Sequence, residues 1–123
     1  MALVEVARKT VELGTVAVVV PVPQGSIGTI GFWNPNTEDY QTTIPKYVQG
    51  QIIGISAPCR NDGAANQKMR LDIVVTSPTG GQTSTSGDTR TLSPGVTLAW
   101  IFSWETPTAG IYKAELVLYA EAV

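Results

Sequence analysis

Hydrophobic and polar residues alternate along most of the chain with a period of two, in runs bounded by Gly, Pro, Asn, Asp and Ser. From Lys68 to Thr76, Met69, Leu71, Ile73 and Val75 point to one side, while Arg70, Asp72 and Thr76 point to the other. This predicts a half-buried strand, ended by the turn cluster SPTGG at 77–81. Leu98 to Glu105 repeats the pattern with larger side chains. Leu98, Trp100, Phe102 and Trp104 share one face, opposite Ala99, Ile101, Ser103 and Glu105. After TPTAG (106–110), Tyr112, Ala114, Leu116 and Leu118 form another apolar face, backed by Lys113, Glu115, Val117 and Tyr119. The short Pro/Gly loop between these last two runs predicts a hairpin-like pair.

Upstream, Ile53, Ile55, Ala57 and Cys59 line one face of a strand from Gln51 to Cys59, closed by RNDG at 60–63. A shorter strand spans Ile27 to Trp33, with Ile30 and Phe32 together and Trp33 opposite, stopped by Asn34-Pro35. Val16, Val18, Val20 and Val22 form a further alternating set. Residues 2–13 fit two periods. Leu3, Val6, Ala7 and Val11 share a helical face, but the β-branched content favours a strand. The Ser/Thr/Gly-rich stretch up to Arg90 reads as a loop or an edge strand. About seven strands result, with no convincing long helix, and 12 glycines and 8 prolines punctuate them. The expected architecture is all-β: a single antiparallel β-sandwich, two sheets each with one apolar face turned to the other.

Composition narrows the function more than the fold. A chain of 123 residues buries roughly two-thirds of its unfolded surface and needs neither metal nor disulfide to hold a core. Eight Lys+Arg against ten Asp+Glu give a net charge of −2. With no basic block, nucleic acid is not an expected partner. Histidine is absent, and Cys59 is the single cysteine. The commonest general base, the commonest metal ligand and any intrachain disulfide are therefore missing. The apolar run Val16–Val22 is short and cut by Pro21, so neither a signal peptide nor a membrane span is expected. Synthesis in the cytoplasm follows from that reading.

Three stretches suggest a family: VQGQIIGISAPCRNDG (48–63), KMRLDIVVTSPTGG (68–81) and LSPGVTLAWIFSWETPTAGIYKAELVLYA (92–120). Their devices are Gly50 leading into a strand, Asn61 with Gly63, Leu92 before Pro94-Gly95, Trp104 closing a strand, and Ala109-Gly110 with Tyr112. Over roughly residues 27–121 this resembles the CARDB-type immunoglobulin-like modules of bacteria and archaea. The resemblance implies an immunoglobulin-like sandwich for residues 26–123, preceded by a valine-rich N-terminal extension, residues 1–25. The extension is expected either as an extra strand of the same subunit or as an arm exchanged with a neighbour. Such modules serve stalks, adhesins, surface arrays and phage particles, so the resemblance speaks to fold and not to one activity.

Candidate sites are few. Asp72, Glu105 and Glu115 occupy outward strand positions and the other acids lie in turns or near the ends, so no carboxylate pair is expected to do acid–base work. Cys59 has no histidine to activate it and faces inward. GTIG and TGGQTSTSG lack the Lys-Ser/Thr ending of a phosphate-binding loop. Glu38, Asp39, Asp62 and Asp88 carry no calcium-loop spacing. No catalytic residue, metal or cofactor is assigned. Two surface sets remain. Val16, Val18, Val20, Val74, Ile101, Val117 and Tyr119 are candidates for a protein interface, and Trp33, Tyr40 and Tyr47 for an aromatic platform that would stack on a sugar ring. The expected function is a non-catalytic structural or adhesion protein. It would be a homo-oligomeric subunit, bound to itself and to other assembly proteins, of a particle such as a virion, as a decoration, tail or fibre-associated component. The alternative is a carbohydrate- or cell-surface-binding module.

Overall fold

A computed structural model describes residues 2–10, 16–18 and 23–123. In chain order the strands are β1 (Val4–Thr10), β2 (Val16–Val18), β3 (Gly25–Ile27), β4 (Gly31–Asn34), β5 (Asp39–Gln41) and β6 (Ile52–Asn61), then β7 (Gln67–Thr76), β8 (Gln82–Ser86), β9 (Arg90–Leu92), β10 (Thr97–Glu105) and β11 (Lys113–Ala122). All pairings are antiparallel, and no helix occurs among the described residues. No helix there is long and apolar enough to cross a membrane.

Sheet I runs β2-β1-β11-β7-β8, with β9 also on β7, and sheet II runs β10-β6-β4-β5, with β3 also on β6. The apolar faces read from the sequence meet between them. Met69, Leu71, Ile73, Leu116 and Leu118 from sheet I pack with Ile55, Ala57, Cys59, Trp100 and Phe102 from sheet II in one core. More strands form than the alternation predicts, because β3, β5 and β9 have three residues each and cannot show a period. The single strand expected over 27–33 is also two, β3 and β4.

The hairpin expected between β10 and β11 does not form. β10 pairs with β6, whereas β11 pairs with β7 and β1, so residues 106–112 arch from one sheet to the other. Two apolar-faced strands joined by a short loop satisfy their faces equally well across a core as beside one another, which the pattern cannot distinguish. The Thr106 hydroxyl, buried at the start of this arch, donates to Gln51 O at 2.6 Å, and Gly50 N–H donates to Thr106 O at 2.7 Å.

A second arch, between β6 and β7, is held by a buried polar clasp. The Asn61 side-chain amide donates to Ala65 O (2.9 Å) and Leu92 O (2.7 Å), while its carbonyl oxygen accepts from Gly63 N–H (2.8 Å) and from the Gln67 amide. Gln67 also donates to Gln24 O at 2.7 Å and accepts from Gln24 N–H at 3.0 Å. Three separate stretches of chain, at Gln24, 61–67 and Leu92, meet at these two side chains.

Residues 4–10 are built into the sheet. β1 lies between β2 and β11 of the same chain, and Val6 and Ala7 enter the core. The β1–β11 register slips between Glu5 and Ala7, a bulge that turns Val6 and its neighbour Ala7 inward together. That extra residue breaks the two-residue period and produces the spacing that fits a helical face. Of the interface candidates in the extension, Val20 lies outside the described residues. For Val16 and Val18 only the backbone pairing with Lys9 and Ala7 is described.

Candidate functional site

The two outer faces of the sandwich differ in chemistry. On sheet I the outward positions are charged and cross-linked. Arg8 meets Glu5 at 2.8 Å and Glu115 at 3.4 Å, Arg70 meets Asp72 at 2.9 Å, and the Arg70 guanidinium lies 5.2 Å from the Tyr119 ring centroid. Val117, opposite Arg8 on one side and Asp72 on the other, is only 5% exposed beneath these side chains. Val74 and Tyr119 on the same face are half-buried. The apolar patch expected from Val74, Val117, Tyr119 and Ile101 therefore does not exist as one surface. The first three lie under a charged roof on sheet I, and Ile101 projects from sheet II on the opposite side of the molecule.

Sheet II has the bare face. Its outward positions on β4, β6 and β10 include Gly31, Gly54, Ser56, Ala99 and Ser103, with Ile101 at 63% and Ile52 at 51% exposure. Only Arg60, opposite Thr97 at one end, and Glu105, opposite Ile52 at the other, carry charge. Trp33 lies over Gly54, where an added Cβ would stand 2.9 Å from the Trp33 Cβ. Tyr40, paired with Trp33 across the β4–β5 hairpin, meets its ring edge-on at 5.2 Å and 65°. The Tyr47 hydroxyl donates to Trp33 O, and burial pushes its pKa up, with Tyr40 adding to the shift. The structure thus brings Trp33, Tyr40 and Tyr47 together but not coplanar. They make a half-buried corner at the margin of the bare face, with Tyr40 at 38% the exposed member.

Two hollows mark the surface of the described residues. One, of about 340 Å3, opens at the end of the sandwich beneath the 106–112 arch, with Phe32, Ile55 and Ala114 in its floor and Tyr47 and Tyr112 in its wall. The other, of about 420 Å3, runs along the outer edge of β10. Trp104 borders both, and its buried indole N–H has no hydrogen-bond partner among the described residues. The alternation places Trp104 inward but carries no signal that its N–H lacks an acceptor. Cys59 is fully buried, and burial raises its thiol to about 12. Among the described residues no group of three or more Cys, Asp or Glu side chains could hold a metal. Asp62 lies near Arg60, Asp88 near Arg90, and Glu38 and Asp39 sit in and beside the β4–β5 turn.

Comparison with protein-family models, with curated proteins and with solved structures gives no match in any of the three, and nothing in them identifies the CARDB-type module that the motifs resemble.

Proposed function

We propose that this chain is a non-catalytic interaction module, an immunoglobulin-like sandwich that works as a self-associating subunit of a larger assembly such as a phage or virus particle. The observation that carries the reading is the contrast between the faces: sheet I is roofed by paired charges, while sheet II leaves Ile101 and Ile52 bare among small neutral side chains. Neutral, flat apolar surface on one side of a small domain suits a protein contact. A second copy fits it by charge as well as shape. A two-fold axis lying in the face and across the strands would set Arg60 of one copy against Glu105 of the other. β10 and β6, nine and ten residues long, with the short β3 and β4 sharing a third row beside β6, give a contact of about 450 Å2 per copy, at the small end for specific interfaces, so association depends on concentration. The immunoglobulin-like part of the reading draws support from chain crossings between sheets and from Tyr112. Its hydroxyl donates to Thr108 O at 2.7 Å, four residues upstream, as in a tyrosine corner.

Light scattering across a concentration series tests this. The full chain is expected to show a dimer or higher oligomer that Ile101→Lys weakens at least tenfold without lowering the thermal midpoint. Glu105→Arg should weaken it too, and the R60E/E105R exchange should restore it. A chain that stays monomeric at every concentration would end the self-association reading. It would also favour the second one, a glycan held at the Trp33–Tyr40 corner beside the bare face, which a sugar-array screen then addresses.

A further inference from the structure

Sheet I overhangs sheet II on one side. In β8, Thr83 stands opposite Val75 and Thr85 opposite the buried Ile73, so both threonines point to the core side of the sheet. Both are nevertheless exposed. β10, the last strand of sheet II on that side, does not reach over them, and the cleft of about 420 Å3 occupies the place where one more strand would lie. Among the described residues only β6 pairs with β10, which leaves its other edge, nine residues long, open. It contains no proline, lysine or arginine, the residues that commonly blunt such edges, and its one charge is Glu105 at the very end. Every second residue of that edge offers an unpaired N–H and C=O. Ile73, Val75, Phe102 and Trp104 give the cleft an apolar floor, Thr83 and Thr85 line it with hydroxyls, and Glu105 is its only charged side chain.

We propose that this cleft is an acceptor site for an extended segment of a partner protein, added to sheet II as a strand beside β10 with its inward side chains over Thr83 and Thr85. The chemistry of the cleft defines the segment: alternating, with β-branched aliphatic or threonine side chains inward, and a lysine or arginine beside Glu105. The cleft lies on the core side of β10 and adjoins the bare outer face, sharing Ile101, Ser103 and Glu105 with it, whereas Thr83 and Thr85 belong to the cleft alone.

The test is amide hydrogen exchange, resolved by residue, on the full chain with an acetylated and amidated peptide that alternates valine and threonine and carries one terminal lysine. Binding is expected to slow exchange at least tenfold at every second residue of 97–105, the period-two signature of a new neighbour on one edge. Exchange in β5 should stay unchanged. Thr85→Arg, which fills the cleft from an exposed position, should keep the thermal midpoint and weaken the peptide effect at least tenfold. No slowing in β10 at millimolar soluble peptide, slowing at another edge instead, or binding indifferent to T85R would each overturn the proposal.

Discussion

Asn61 and Gln67 show how much one pair of side chains can organise. Buried amides cost free energy unless every donor and acceptor is matched, and here both are matched through the backbone of Gln24, Ala65 and Leu92. Asn61→Ala is expected to cost about 2–4 kcal/mol in urea unfolding, since it orphans carbonyls on two other segments. The N61A/Q67A double variant should cost less than the sum, because the two share one network. The sequence motif exposed half of this. Asn61 with Gly63 is legible as a turn, but Gln67 reads as an ordinary polar residue at a strand start, because its partners lie 43 residues away at Gln24. Cys59 makes a different kind of statement. Its thiol ionises near 8.5 when unfolded and at about 12 when folded, so its contribution is complete below about 8.5 and disappears as pH rises toward 12. Between pH 8.5 and 10, the wild type should lose up to about 1.4 kcal/mol per pH unit more than Cys59→Ala does. Parallel slopes for the two proteins in denaturant titrations would remove the cysteine as the cause.

Among the elements, long strands were legible and short or irregular ones were not. β6, β7, β10 and β11 have nine or ten residues each, enough for the alternation to declare both period and inward face. Trp33, read as opposite to Phe32, does lie on the outer side, over Gly54. What the pattern could not supply was partnership: which strand lies beside which, and therefore that Ile101 and Val117, both outward, face away from each other. β1 is the sharpest case. Its bulge hides the strand period, yet Val6 is among the most buried side chains, and the strand flanks β11, which carries Leu116 and Leu118. A chain starting at Gln24 is thus expected to lose its cooperative thermal transition, having uncovered one whole edge of β11. An unchanged midpoint on scanning calorimetry would show that β1 is dispensable.

Across the whole molecule, the division of labour between the sheets follows from where charge was placed. One side is sealed with Arg–carboxylate pairs that also cover aliphatic surface, and the other is left flat and neutral. The same chain leaves its first sheet one strand wider than its second. Neither property is visible in composition, because net charge and hydrophobic fraction average over both faces.

The pairing of β1 with β11 has one more consequence, set by the direction of synthesis. β1 is completed by β11, a strand made roughly a hundred residues later. At translation rates of about 5–20 residues per second, β1 waits on the order of 5–20 s with its valines unmatched. Every strand of sheet II precedes β11 in the chain and can pair before it is made, but β1 cannot complete its own pairing. β1 joins β11 only once that strand emerges, and until then whatever else offers a strand edge competes for it.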